Sequence, residues 1–332
     1  NSLEEGSIDI VIGTHALIQE NIKFKNLGLA VIDEQHRFGV EHRKNLIKKA
    51  KNPNVLAMTA TPIPRTLSMT LHGDIDISII DELPKNRIPI ITKVINDEKL
   101  NSIYKFIENE LDKKRQCYIV FPIIEESETL DLEAAETGYK NINEKIFPKH
   151  EVGYIHGKMK KEERDIQMDL FLNGEIDILV STTVIEVGID NPNATIMMIE
   201  NAERFGLTQL HQLRGRTGRG DNQSYCILVQ RKNTPLADYR LKVMENISNG
   251  FKISDEDLQL RGPGEFFGKR QHGYMKTKIA DITKDKDIIR EARRLAFEIV
   301  SKDYDLRSIE HQKIKKELLY RYSNMLEFID IG

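Results

Sequence analysis

The sequence predicts an α/β fold: two parallel-sheet domains in series, the first incomplete, followed by a mainly helical C-terminal region. Short apolar, β-branched segments recur with stretches of helical period between them, the pattern of parallel βαβ units. The pattern is interrupted near Pro84–Thr92, where two prolines lie among polar residues, and then restarts. It ends near Gln230–Pro235, beyond which the chain reads as a helical hairpin, a Gly-rich stretch Arg261–Gly273 and further helix. The expected domains are therefore 1–90, 91–235 and 236–332, in keeping with a chain of 332 residues.

The predicted strands are Ile8–Ile12, Leu29–Asp33, Val55–Thr59, Cys117–Phe121, Ile176–Ser181, Thr195–Glu200 and Ser224–Val229. Several are nearly continuous apolar runs, as expected of strands covered on both faces. Leu100, Ile103, Phe106, Ile107 and Leu111 fall three and four apart and so share one helix face. Met168, Phe171 and Leu172 do the same in a shorter segment. A C-terminal helix is predicted to carry Ile288, Ile289, Ala292, Leu295, Ala296, Ile299 and Val300.

Composition excludes several classes. No apolar run approaches the roughly 18 residues that a bilayer span needs, and the N-terminus lacks the basic-then-apolar pattern of a secretory leader. Cys117 and Cys226 lie in apolar strands and in no CxxC pair, which argues for buried, inert thiols in a reducing cytoplasm. The nine histidines show no HxxxH or HExxH spacing, so a zinc site is not expected. A net charge of −3 argues against a uniformly basic nucleic-acid-binding domain, so a polyanion site has to be a local cluster of Arg and Lys.

Candidate chemistry sits at strand ends. Asp33 and Glu34 follow an apolar strand, at the edge where ligands bind in open parallel sheets. Asp33 can hold Mg²⁺ through water, Glu34 can orient or deprotonate an attacking water, and His36 can bridge to neighbouring segments. Two solvated acids at a strand end would look the same in isolation. Thr59-Ala60-Thr61-Pro62 follows the next strand, with small hydroxyls able to bond the acidic pair. Ser181, Thr182 and Thr183 stand at a strand-to-helix junction, where hydroxyls and helix N–H groups can hold backbone phosphates; Asp190 ends that segment. In Gln212–Gly220, Arg214, Arg216 and Arg219 alternate with glycines, so planar guanidinium forks can approach an anion. Arg216 and Arg219, three apart, can face one triphosphate.

Together, in this order and spacing, these segments resemble motifs II, III, V and VI of the superfamily 2 helicases. Asp33–His36, Thr59–Thr61, Ser181–Asp190 and Gln209–Arg219 are the matching stretches. The resemblance implies two RecA-like domains with ATP and Mg²⁺ between them, and a nucleotide site that also draws on Gln212, Gly188 and Asp190. DEQHRFGV from Asp33, MTATPIPRTLSMT from Met58, IEESE from Ile124, TTVIEVGID, IENAERFGLTQLHQLRGRTGRG and DLQLRGPGEFFGKRQ are similar to the RecG family of bacterial branched-DNA helicases, over nearly the whole chain. That likeness implies a monomeric, cytoplasmic and nucleoid-associated enzyme acting on replication forks and Holliday junctions in recombination and repair, with single-stranded-DNA-binding protein a possible partner. It also implies a hydrogen-bonded network among Arg240 in the hairpin and Arg261 and Gln271 in the following loop that moves duplex DNA, with Thr182 and Thr183 of the hydroxyl-rich segment tracking the DNA.

No GxxxxGK[ST] occurs in the chain. The expectation is of a C-terminal fragment lacking the phosphate-binding loop and the wedge domain of the family, and inactive alone. Three other readings stay open: a transcription-repair coupling translocase, which shares RFGV and TATPIPRTL; an RNA helicase; and a non-catalytic binding module.

Overall fold

The computed structural model describes residues 2–19, 21–34, 49, 53–59, 76–82, 84, 87–123, 128–182, 191–266 and 285–329. Its contacts divide into two compact units, Asn1–Pro62 and Ile63–Gly332.

In the first unit, β1 (Leu29–Ile32) pairs in parallel with β2 (Asn54–Ala57), with Leu29 opposite Asn54 and Ile32 opposite Ala57. Met58 continues the ladder by donating to the Ile32 carbonyl at 2.7 Å. Ala30 and Ile32 are buried, while Leu29 and Val31 face outward. The expected strand Ile8–Ile12 does not form; Ile10 and Ile12 are exposed at 81% and 94%. Its apolar alternation finds no ladder partner among the described residues, and a strand exists only where its N–H and C=O groups are paired.

The second unit is built on a six-stranded sheet in the order β3-β8-β7-β4-β6-β5. The strands are β3 (Ile91–Ile95), β4 (Gln116–Val120), β5 (Val152–Ile155), β6 (Ile178–Ser181), β7 (Ala194–Ile199) and β8 (Tyr225–Val229). Every pairing is parallel. The central strands β4, β6 and β7 are buried at every position, which explains their unbroken apolar sequence. The edge strands β3 and β5 alternate instead. Neither is among the predicted strands, because ITKVI and VGYI are short and mixed in polarity.

Successive residues on each strand point to opposite faces. Tyr118, Val120, Leu179, Met197 and Leu228 join one core; Cys117, Ile119, Ile178, Met198 and Ile227 join the other. On the second face packs α1 (Leu100–Leu111), through Ile107 and Leu111, with Leu100, Ile103 and Phe106 against the same core. After α2 (Glu128–Asn141) and a π-helical turn, α3 (Lys161–Leu172) covers the first face with Met168 and Phe171, whereas Leu172 at its last turn is exposed. The first face is completed by α4 (Leu207–Arg214) and a hairpin of α5 (Pro235–Asn246) and α6 (Gly250–Phe266). Thr234 caps α5, its hydroxyl accepting from Ala237 N–H at 3.2 Å with Pro235 in the first turn.

The helix α6 runs through Arg261, Gly262, Pro263 and Gly264, where the sequence predicts a Gly-rich loop. Buried Ile253 and Leu258 anchor the helix upstream of that stretch. Two further helices, α7 (Lys286–Lys302) and α8 (Gln312–Ile329), close the chain. Their connection is held by Asp303, which accepts from the Arg307 and Ser308 N–H groups, the Ser308 hydroxyl and His311. These bonds hold its carboxyl well below the usual range. Both cysteines are buried, and burial pushes the Cys226 thiol up to about 12 and Cys117 higher still.

Candidate functional site

In each unit candidate residues follow a strand end, Asp33 and Glu34 after β1 and Ser181 and Thr182 at the end of β6, whereas the arginine turn lies beside Ile90, Pro192 and Ser224, at the starts of β3, β7 and β8. In the first unit, Asp33 and Glu34 leave β1 directly. Asp33 Oδ1 accepts the Glu34 N–H at 2.8 Å, and Glu34 takes a left-handed backbone with φ 51°. Few non-glycine residues adopt that conformation. Here it turns the chain sharply at the strand end and leaves Asp33 exposed and Glu34 half-buried. Thr59 sits two residues past the end of β2, on the same edge. His36 and the remainder of the TATP segment lie outside the described residues.

In the second unit, β6 ends at Ser181, whose hydroxyl donates to the Thr182 carbonyl at 2.7 Å. Thr182 is fully buried, and its hydroxyl has no hydrogen-bond partner among the described residues. Thr183, Gly188 and Asp190 lie outside the described residues.

The arginine segment is clear in detail. Gln209 accepts from the Gly206 N–H at 3.1 Å and fixes the start of α4. Leu207, Leu210 and Leu213 bury one side of that helix. Past its end, Thr217 is buried and donates to the Arg214 carbonyl at 3.1 Å. Gly218 has φ 74°, and a Cβ there would meet Ile90 at 2.8 Å. Only glycine fits that left-handed, crowded point. The result is a rigid turn that presents Arg216 half-buried and Arg219 exposed, with Gln212 half-buried on α4. Arg219 Nε donates to the Gly215 carbonyl at 3.4 Å.

Arg214 does not join these two. It is buried at 5% exposure, and its guanidinium donates to the carbonyls of Met244 (3.0 Å), Ile247 (2.9 Å) and Ser248 (3.1 Å) and to His211 Nδ1 (3.1 Å). His211 accepts through Nδ1, so its imidazole is neutral. Burial, then the charges of Arg214 and Arg87, push it down to about 4.

Arg240 donates to the carbonyls of Phe205 (3.0 Å) and Glu203 (2.7 Å), which ties α5 to the turn after β7. The side chain of Arg261 and the whole of Gln271, the other two members of the expected network, lie outside the described residues.

Two groupings are not legible in the sequence. Arg231 bridges Glu200 and Asp97, joining the ends of β3, β7 and β8, while its N–H donates to Glu203 at 3.1 Å. Tyr139 and Tyr154 stack at 5.1 Å and 15°, with His156 at 5.3 Å from Tyr154. Both join residues that only the folded sheet brings together. Among the described residues no group of three or more His, Cys, Asp or Glu side chains is arranged to hold a metal, and no helix is long and apolar enough to cross a membrane.

This is the architecture of a superfamily 2 helicase, and family models agree. The DEAD/DEAH box helicase model matches residues 1–70, and the helicase conserved C-terminal domain model matches residues 98–221. More narrowly, the chain is similar to the RecG family along nearly its whole length. The model for ATP-dependent DNA helicase RecG, domain 3, C-terminal, matches residues 247–327. The chain is 50% identical to the ATP-dependent DNA helicase RecG of Synechocystis sp. over 324 residues, 98% of this chain and 39% of that protein. It is 50% identical to that of Streptococcus pneumoniae over 300 residues, 90% and 45% of the two chains. A solved structure of RecG bound to a three-way DNA junction superposes with a TM-score of 0.68 at 44% identity, covering 87% of this chain and 37% of that one. The chain thus spans less than half the length of these relatives.

Proposed function

We propose that the full-length protein containing this chain is an ATP-dependent DNA helicase and translocase that remodels branched DNA, replication forks and Holliday junctions, in recombination and repair. The observation that carries this reading is the identity of about half the residues to RecG proteins along nearly the whole chain. The similarity to a RecG structure bound to a three-way junction supports the choice of branched DNA. The match of residues 247–327 to the RecG domain model favours this reading over a coupling translocase or an RNA helicase.

In this reading residues 1–90 and 91–235 are the two RecA-like helicase domains, and 236–332 is the region that moves DNA. ATP is the substrate. The donor set at Asp33 and Glu34 fits Mg²⁺, which takes one or two carboxylates and keeps most of its waters. Bound there, the ion would neutralise charge on the phosphates. Asp33, oriented by its bond to the Glu34 N–H, is the carboxylate that would hold it. Glu34 orients the attacking water. Arg216 and Arg219, on the rigid turn after α4, meet the charge that develops on the transferred phosphoryl group. His36, Gln212, Gly188 and Asp190 complete the nucleotide site. Thr182, Thr183, Arg240, Arg261 and Gln271 serve translocation. The protein works as a monomer in the bacterial cytoplasm, associated with the nucleoid, with single-stranded-DNA-binding protein as a partner.

The test is ATP-dependent unwinding of a three-way junction by the full-length protein and by its Asp33→Asn variant. Unwinding by the wild type, lost in the variant with junction binding intact, is the expected result. Equal ATP turnover in the two proteins would overturn the assignment of the acidic pair.

A further inference from the structure

The turn that carries Arg216 and Arg219 rests on a stretch of chain that neither helicase model covers. The first model ends at residue 70 and the second begins at residue 98. Between them runs a connector, whose described part, Pro84 and Arg87–Ile90, leads into β3. A segment joining two domains ordinarily runs over the surface with few contacts. This one is fastened to the arginine turn and to the residues that follow it.

The first contact is apolar. A Cβ on Gly218 would lie 2.8 Å from Ile90 Cγ1 and 3.0 Å from its Cδ1, so the isoleucine fills the space that a side chain at that glycine would take. Gly218 stands between the two arginines and has no side chain with which to hold its own place. Ile90 in turn packs against the core that contains Leu207, Leu210 and Leu213 of α4. The second contact is polar. Gln223 donates through Nε2 to the Pro89 carbonyl at 2.8 Å and to the Ser224 carbonyl at 3.0 Å. The Ile91 N–H then donates to the Ser224 carbonyl at 3.0 Å, where β3 joins β8. The charge of Arg87, earlier in the connector, is felt at His211 on α4. Gly220 meets a different neighbour, since a Cβ there would lie 2.5 Å from the Pro192 carbonyl oxygen. The turn is therefore held between a backbone wall at Pro192 and the connector.

On the helicase reading above, we propose that the connector is the seat of the arginine turn, with Ile90 and Gln223 as positioning residues for Arg216 and Arg219. Ile90 supports the turn at Gly218. Gln223 ties the chain leaving the turn to the connector backbone. Both act through the arginines, whose bonds to the phosphoryl group strengthen as charge develops there. Loss of either support is therefore felt in turnover and not in ATP binding.

The experiment measures ATP hydrolysis on a three-way junction by the full-length protein and its Ile90→Ala, Ile90→Val and Gln223→Met variants. Binding of ADP–beryllium fluoride and ADP–aluminium fluoride, which imitate the ground state and the transition state, is measured beside it. In Ile90→Ala, kcat is expected to fall by about tenfold, because a small misplacement of a catalytic group costs rate steeply. KM for ATP and the affinity for ADP–beryllium fluoride are expected to stay unchanged, while ADP–aluminium fluoride binds about tenfold more weakly. Ile90→Val keeps a branched side chain against Gly218 and should restore most of the rate. Gln223→Met keeps the shape without the donor and should lower kcat by a smaller factor, again at constant KM. It carries the measurement if Ile90→Ala does not fold. A purely structural role would move kcat, KM and melting temperature together and leave the ratio of the two analogue affinities unchanged. That result, or an unchanged kcat in Ile90→Ala and Gln223→Met, would overturn the seat while leaving the helicase reading intact. A wild type without junction-stimulated turnover would overturn the helicase reading, and the seat with it.

Discussion

Acid should weaken the second unit through His211. Its imidazole accepts a hydrogen bond from Arg214, and burial together with the Arg214 and Arg87 charges holds it down to about 4, against an ordinary value of 6.5. The unfolded chain therefore takes up a proton below pH 6.5 that the folded chain refuses until about 4. Stability is complete at neutral pH and is lost as pH falls through that window. The gap corresponds to about 3 kcal/mol in full, of which about 2 kcal/mol is already lost at pH 5. Other groups titrate nearby: Glu200 is raised by burial and gains stability as pH falls, and Asp303 is lowered by its hydrogen bonds and acts only in stronger acid. The assay is therefore comparative. Urea unfolding of the wild type and of His211→Gln is followed at pH 7, 6 and 5. Glutamine can accept from Arg214 without titrating. The wild type should lose about 2 kcal/mol more than the variant between pH 7 and pH 5. Parallel loss in the two proteins would refute the assignment, as would an imidazole resonance that titrates near 6.5.

Three other outcomes follow from the geometry. A Cβ at Gly220 would lie 2.5 Å from the Pro192 carbonyl oxygen, a backbone atom, so Gly220→Ala should cost about 1–3 kcal/mol in urea unfolding; an unchanged midpoint would show that this backbone relaxes freely. Gln116 donates to the Phe171 and Ile176 carbonyls and accepts from Asn191, so Gln116→Leu should cost about 2 kcal/mol or more by leaving buried groups unpaired; a neutral substitution would mean that water replaces it. Arg219→Ala in the full-length protein should lower ATP turnover by about a thousandfold with junction binding retained; retained turnover would remove Arg219 from the nucleotide site.

The sheet is legible in the sequence where burial is two-sided. The unbroken apolar runs of β4, β6, β7 and β8 are enough by themselves to mark interior strands. The edge strands β3 and β5 bury alternate residues over four or five positions, too short a pattern to stand out. Ile8–Ile12 shows the reverse error, since hydrophobicity identifies a segment able to pair but not whether a partner exists. The same limit applies to the arginines. Arg214, Arg216 and Arg219 form one basic loop in sequence, yet three carbonyls some thirty residues away capture the first and leave Arg216 half-buried and Arg219 exposed. Long-range acceptors of this kind leave no local signal. The Arg231 bridge from Glu200 to Asp97 is hidden for the same reason.

The most direct measurement is ATP turnover by the full-length protein on a three-way junction and on linear duplex of equal length. A branched-DNA helicase predicts stimulation that depends on the junction and disappears in Arg219→Ala. Equal stimulation by junction and linear duplex would contradict the branched-DNA reading, pointing to a translocase that does not read branches.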